Sequence, residues 1–486
     1  MGKSSPAGSR GGSVAERPLR ILQVGPADLA GGAERVAWNL FLAYRACGHL
    51  SWLAVGRKRS PDPDVLRIPD PDGGWFQFWQ RAHSRLQPLE ASAQGARLLS
   101  RLARRLAEPG RFLDERLGRE SFRFPGSRAL LRFAPQRPDV VHCHNLHDAY
   151  FDLRTLPWLS QQLAVVLTLH DAWLLSGHCA HSFGCERWKT GCGRCPDLSI
   201  YPAIRRDATA FNWRRKQRIY AKGRFYVTTP CHWLMDRVKQ SVLAPSILGS
   251  AVIPNGVDLS VFRPGDRQRA RATLSIPSDL PVLLFVAHRI RRNPWKDYLT
   301  LRGAVARVAA PPMARRILLL AVGEDGPSES LGAAEVQFLP FQDDPEAMAR
   351  YYQAADLYVH AARVDSFPTT VLEALACGLP VVATAVGGIP EQVKSLDGLP
   401  GGMAGPAYGP EEATGVLVPP GDTEAMAAAV GALLADAPLR IRLGANAAAD
   451  TARRFGLDRQ VGDYLAFYRR ILAGRDEDCE PTGAVA

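Results

Sequence analysis

The chain has 486 residues, 46% of them hydrophobic and 22% charged, which is too long for a single core and ordinary for a two-domain globular protein. No run of about 18 apolar residues occurs, so no transmembrane helix is expected. The start, MGKSSPAGSRGGSVAERP, lacks the apolar segment of a secretory signal, and residues 1–18 read as a disordered tail. A net charge of +12 suits an anionic ligand, a membrane surface or nucleic acid. Nine cysteines without a signal peptide point to a reducing cytoplasm rather than a disulfide scaffold.

In chain order, Leu19–Val24 is a short apolar strand, followed by the loop Pro26-Ala-Asp-Leu-Ala-Gly31-Gly32-Ala-Glu34-Arg35 and a helix with Val36, Leu40 and Ala43 on one face. Strand, glycine-rich loop, helix is how a nucleotide-binding βαβ unit opens, but the loop is not G-x-G-x-x-G, which speaks against a dinucleotide cofactor. Leu50–Val55 is the next strand. Residues 75–132 form an arginine-rich helical insertion; between Arg81 and Arg132 twelve arginines face five acidic residues. Leu98, Leu99, Leu102 and Leu106 share one helical face flanked by Arg97, Arg101, Arg104 and Arg105, a pattern for a helix lying on an anionic membrane or for one packed on its own domain. Strands ending at His142-Cys-His144 and at His170-Asp171 place histidines at the carboxyl ends of a parallel sheet, where ligands bind. Then four cysteines, Cys179, Cys185, Cys192 and Cys195, fall within seventeen residues of the loop 177–196. They fit one structural tetrahedral zinc, reduced thiols or disulfides.

Ile253-Pro-Asn-Gly256 reads as a hinge. Val282–Ala287 begins a second set of alternating strands and helices, and it runs into the cationic stretch His288–Lys296, suited to a diphosphate. The second set continues to Asp365-Ser-Phe367-Pro368-Thr369-Thr-Val-Leu372-Glu373, where Pro368 fits the first turn of a helix, Gly378 ends it and Val381–Ala383 follows as a buried strand. A free helix N-terminus beside a sheet attracts an anion. Asp365 and Glu373 bracket it, as hydroxyl-binding groups around a nucleotide sugar would. Gly387-Gly388-Ile-Pro-Glu391 is a tight loop, and 395–414 is a glycine- and proline-rich insertion expected to be mobile.

These segments resemble the retaining GT-B glycosyltransferases of family 4. Asp365-x7-Glu373 matches that family's E-x7-E motif with Asp in place of the first Glu. "LEALACGLPVVAT", "VGGIPE", the "GGAE" loop, "DVVHCHN" and "TLHD" are similar to it as well, and the likeness covers roughly residues 19–470. "TLHDAWLLSGHCAHSFGCERWKTGCGRCP" resembles a subgroup from bacterial exopolysaccharide synthesis that carries this cysteine-rich loop. The resemblance implies an α/β GT-B fold of two Rossmann-like domains. Residues 19–255 would be the acceptor domain, 256–455 the donor domain, 456–474 a helix crossing back to the first domain, and 475–486 a tail. It implies His170, Arg289, Lys296, Asp365 and Glu373 in the catalytic centre. Gly31, Gly32, Arg291, Phe367, Pro368, Thr369, Leu372 and Glu391 would lie around the donor, and Glu34, His142 and His144 on the acceptor side. Arg289 fits the family's arginine by strand position, Arg291 by its spacing to Lys296, and Asp297 replaces the usual glycine.

The expected activity is transfer of a sugar, with retention and without a catalytic cofactor, from a nucleotide-diphosphate donor to the hydroxyl of a lipid-linked or polysaccharide precursor. The expected location is the cytoplasm, peripheral on the inner face of the membrane, with no role for nucleic acid. The alternatives are a GT-B epimerase and a non-catalytic nucleotide-sugar binder, both favoured by the departures at Asp365 and Asp297.

Overall fold

A computed structural model describes residues 17–29, 31–70, 73–90, 93–311, 315–398 and 406–479. Most of the expected N-terminal tail, the centre of the 395–414 insertion and residues 480–486 lie outside it. Two sheets organise the chain. The first is parallel and seven-stranded: β1 (Arg20–Ala27), β2 (Leu50–Arg57), β3 (Val65–Arg67), β4 (Val140–His144), β5 (Ala164–Thr168), β6 (Phe225–Thr229) and β7 (Ile247–Val252), in the order β3-β2-β1-β4-β5-β6-β7. The strand order reverses direction at β1 and β4, so the crevice beyond their carboxyl ends is the natural ligand site. Asp28, Gly31, Gly32 and His144 lie there.

The second sheet has nine strands: β8 (Val282–Val286), β9 (Ile317–Val322), β10 (Glu329–Leu331), β11 (Ala334–Leu339), β12 (Leu357–His360), β13 (Val381–Thr384), β14 (Ser395–Leu396), β15 (Ala407–Tyr408) and β16 (Gly415–Val418). Their order is β10-β11-β9-β8-β12-β13-β16-β14-β15, and only the edge pair β10–β11 is antiparallel. Continuous apolar runs such as Ile317–Val322 are buried on both faces, as helices on each side of a parallel sheet require. The ends of the 395–414 insertion therefore extend the sheet as β14 and β15. The expected fold, two Rossmann-like domains of the GT-B kind, is the one observed.

The last helix, Leu457–Cys479, runs past the expected end at residue 474 and lies on the first domain. Val461, Tyr464, Leu465 and Tyr468 are buried with Ile21, Val140 and Val166 of the first sheet. Each large apolar side chain so buried stabilises the contact by about 1.5–3 kcal/mol.

The arginine-rich insertion folds as α1 (Gly74–Leu86), α2 (Gln94–Ala107) and α3 (Pro109–Arg116). Its middle helix turns small residues inward: Ala96, Ser100, Ala103 and Ala107 are buried. The leucines face solvent instead, Leu98 at 67%, Leu99 at 56% and Leu102 at 48% exposure, in company with exposed Trp75 and Phe78. The leucine face is therefore not the one packed on the domain.

Candidate active site

The cleft between the domains is drawn together by named contacts. Glu391 accepts hydrogen bonds from the backbone N–H groups of His232 and Trp233, both at 2.8 Å, so a carboxylate of the second domain caps a helix of the first (His232–Lys239). Cys231 Sγ donates to the carbonyl of Ser366 at 3.3 Å, and Asn255 Nδ2 to that of Phe367 at 3.4 Å. Phe183, from the cysteine-rich loop, stacks on Trp295 with ring centroids 5.6 Å apart. Gly31 and Gly32 approach the second domain closely enough that a Cβ on Gly32 would lie 3.9 Å from Thr369 Oγ1.

A cavity of about 340 Å³ lies in this cleft. Gly31, Gly32 and Arg35 form its wall on the first domain; Lys296, Asp365, Pro368, Thr369 and Glu373 are among those opposite. Pro368 is the residue preceding the helix Thr369–Ala376 rather than part of its first turn, and the start of that helix faces the cavity. Its dipole and leading amides favour an anion there. The Gly387–Gly388 loop presses against the segment that carries Asp365: Gly387 has φ +58°, and a Cβ on it would sit 1.7 Å from the Asp365 carbonyl oxygen. Only glycine fits there.

Lys296 Nζ is ion-paired with Asp365 Oδ2 and lies 3.0 Å from His360 Nε2. Burial opposes charge on Asp365, but Lys296 and His360 outweigh it and hold the carboxyl below the usual carboxylate range. Burial, reinforced by Lys296, lowers His360 to about 4 and keeps it neutral. Glu373 accepts a hydrogen bond from Tyr352 at 2.8 Å; burial raises its pKa, partly offset by that hydroxyl and by Arg35 across the cleft.

On the first domain, His170 Nε2 lies 3.1 Å from His144 Nδ1, and burial lowers His170 to about 4. Beside it, His147 is held between Asp171 at 2.8 Å and Asp148 at 3.1 Å. Burial works against its charge, yet the two carboxylates raise it to about 10. Glu34 lies near this triad; burial and the Asp148 charge raise its carboxyl pKa.

Several residues assigned from the sequence stand elsewhere. His142 is not on an acceptor-facing surface: it is fully buried, 2.5 Å from Thr168 Oγ1 and 2.6 Å from the Tyr468 hydroxyl of the crossover helix, and burial lowers it to about 3. His144 is buried as well, its ring nitrogens 3.1 Å from His170 Nε2 and 3.1 Å from Gln23 Oε1, and neither histidine is among the residues lining the cavity. Leu372 belongs to the core, and Phe367 packs against Phe455. Arg291 pairs with Glu324 at 2.8 Å and covers Phe338, away from the cavity. Arg289 is exposed, in the left-handed region at φ 53°. Glu391 links the domains and is not among the residues lining the cavity that holds Lys296 and Asp365. The four loop cysteines are free thiols. Cys192 Sγ accepts from Gly177 N at 3.2 Å, while Cys195 Sγ lies 3.4 Å from His178 Nε2. Among the described residues no group of three or more His, Cys, Asp or Glu is gathered to hold a metal ion.

Sequence reasoning passed over His360, Tyr352 and His147. His360 had a signal, since it ends a buried strand of the second sheet as His144 does in the first. Tyr352 had none, being one aromatic on an amphipathic helix.

Residues 30–261 match the family model described as Glycosyltransferase Family 4, and residues 266–450 that of Glycosyl transferases group 1. The two halves are those of a group 1, family 4 glycosyltransferase. The chain is 28% identical over 269 residues to a putative colanic acid biosynthesis glycosyl transferase of Escherichia coli, covering 51% of this chain and 60% of that protein. It is 37% identical over 236 residues to the D-inositol 3-phosphate glycosyltransferase of Segniliparus rotundus, covering 46% and 47%. The chain thus spans about half to three-fifths of these curated relatives. Among solved structures, the sucrose-phosphate synthase of Thermosynechococcus elongatus aligns with TM-score 0.57 at 21% identity, covering 94% of this chain and 100% of that one. The Anabaena protein HepE, solved with UDP and glucose, aligns with TM-score 0.57 at 16% identity, covering 92% and 99%. At these identities the structures establish the shared GT-B fold.

Proposed function

We propose that this chain is a retaining glycosyltransferase that moves a sugar from a nucleoside diphosphate sugar to a hydroxyl acceptor. The observation that carries the reading is the interdomain cavity, where Lys296, Asp365 and the start of the helix Thr369–Ala376 converge opposite the Gly31–Gly32 loop. The helix start and Lys296 supply fixed positive charge for a departing diphosphate. Glu373, buried at the cavity wall, accepts a ribose hydroxyl, and Asp365 bonds a sugar hydroxyl while aiming Lys296. His170 lines the donor sugar from the other side. Arg289 reaches the diphosphate once a donor is bound. The acceptor hydroxyl attacks from the face the leaving group departs, and a diphosphate oxygen takes its proton, so the chain's own part is to orient and to balance charge.

The acceptor reading is a lipid-linked or polysaccharide precursor in cell-surface glycan synthesis, met at the inner face of the membrane. Its support is the insertion: solvent-facing Leu98, Leu99 and Leu102 beside Arg97, Arg101 and Arg104 form a surface that suits anionic lipid. No helix among the described residues is long and apolar enough to cross a membrane. That a relative is a putative colanic acid glycosyl transferase agrees with this acceptor class.

The test is a thermal-shift screen of nucleoside diphosphates and their sugars, followed by turnover with the donor that stabilises most. A UDP-type ligand that raises the melting temperature in wild type and not in Glu373→Ala supports the site. Binding without turnover for any donor and hydroxyl acceptor would leave the non-catalytic binder.

A further inference from the structure

The insertion holds a second cavity, of about 370 Å³, well separated in sequence from the donor motifs. Helices α1, α2 and α3 form most of it, and Arg205, about ninety residues beyond α3, completes it. Five arginines line it: Arg104, Arg105, Arg111, Arg116 and Arg205. The lining carboxylates are already engaged. Asp70 pairs with Arg67 at 2.6 Å, Glu108 with Arg111 at 2.8 Å and Glu115 with Arg111 at 3.6 Å. Among the described residues, no carboxylate pairs with Arg104, Arg105, Arg116 or Arg205. Guanidinium groups stay charged at every relevant pH, so four of them around one basin repel one another until an anion enters.

The rim is fixed. Gly118, just past α3, has φ +70°, and a Cβ on it would meet the Arg206 carbonyl oxygen at 1.9 Å. Asn212 Nδ2 donates to the Gly118 carbonyl at 3.1 Å and Asn212 Oδ1 accepts from Glu120 N at 3.0 Å. The segment bearing Arg205 is therefore held against the end of α3. A neighbouring pocket of about 280 Å³ shares Arg111, Glu115 and Arg205 with the basin. It has aromatic walls, Phe122, Phe124 and Trp173 among them, and it reaches His147 and Asp148 at the edge of the interdomain cleft.

We propose that the basin around Arg104, Arg116 and Arg205 binds the phosphate or diphosphate ester of the acceptor, whose body follows the aromatic pocket toward His147 and Asp148. This rests on the reading of the first domain as the acceptor side. Planar guanidinium forks match phosphate oxygens two at a time, and the aromatic walls suit an apolar or sugar moiety next to the phosphate. The ligand chemistry is common to a lipid-linked diphosphate and to a soluble sugar phosphate.

Calorimetric titration of the full chain with inorganic pyrophosphate tests the proposal, in wild type and in a Lys296→Ala background that weakens the donor site. Saturable binding is expected in both. Arg104→Ala with Arg205→Ala should weaken it about 100-fold, roughly tenfold for each guanidinium removed from the phosphate, and Arg116→Glu should do so independently. These side chains are exposed, so melting temperatures should not move. Farnesyl diphosphate binding more tightly than pyrophosphate marks a lipid-linked source; equal affinities mark a soluble phosphate ester. Pyrophosphate binding that ignores the arginine substitutions, or that vanishes with Lys296→Ala, overturns the proposal. So does binding of vesicles containing phosphatidylglycerol when neither diphosphate binds. Because the readout is direct binding, a failed search for the donor would not be mistaken for failure here.

Discussion

Lys296 Nζ sits between two partners, ion-paired to Asp365 and 3.0 Å from Nε2 of His360. The neutral imidazole cannot balance its charge, so Asp365 alone does. Asp365→Asn keeps the shape and removes the counter-charge, leaving Lys296 free to wander. We expect turnover to fall by about two orders of magnitude with UDP affinity changed little. Asp365→Glu, which keeps the charge, should stay within about tenfold of wild type in the same initial-rate assay, one methylene costing far less than a broken ion pair.

Glu373 should govern donor binding rather than turnover. Its buried carboxyl has a raised pKa. Binding that needs the carboxylate therefore weakens as pH falls, and the decline begins above the range of an ordinary glutamate. Titrations of UDP across acidic pH should show that decline in wild type, with Glu373→Gln weak and flat throughout.

His147 carries a charge that the fold maintains, because its pKa rises from 6.5 to about 10 between Asp148 and Asp171. A raised histidine stabilises the native state fully below its unfolded value and loses that contribution as pH climbs through the folded one. Melting temperature should thus fall from about pH 6.5 toward pH 10. His147→Gln should lower stability at neutral pH and flatten the slope.

Glu391→Ala removes the cap across the domains at His232 and Trp233. Removing a cap costs about 1 kcal/mol, or about 2 °C in melting temperature for a unit of this size. Small-angle scattering should report a wider distribution of domain separations. Donor affinity should stay within about twofold, since Glu391 does not line the cavity that holds Lys296 and Asp365.

The exposed leucines of α2 make a separate prediction. Leu98→Gln, Leu99→Gln and Leu102→Gln together should reduce sedimentation with anionic vesicles more than tenfold, since each apolar side chain inserted contributes on the order of 1.5 kcal/mol. Thermal stability should hold or rise, because these side chains face solvent.

The repeated alternation of apolar runs and helical faces was enough to read both domains, because buried parallel strands such as Val282–Val286 leave few other interpretations. Asp365, Lys296, Glu373 and the Gly31–Gly32 loop, far apart in sequence, line one cavity, so their motifs were legible. What escaped was direction. The histidines of β4 point into the fold, and only the position of the crossover helix decides that His142 meets Tyr468. The leucine stripe of α2 was visible, but a stripe of alanines and a serine on the other face won the packing position, and periodicity alone does not rank the two.

The crossover helix has a consequence for how the molecule is made. Tyr464 and Tyr468 reach Thr168, Thr228 and His142, the polar groups at the centre of the first sheet. During synthesis from the N-terminus, that sheet stands without its cover until the whole second domain, residues 256–455, has emerged. The first domain is thus finished by the last helix, and the nascent chain carries an open, histidine-lined seam throughout translation of the second.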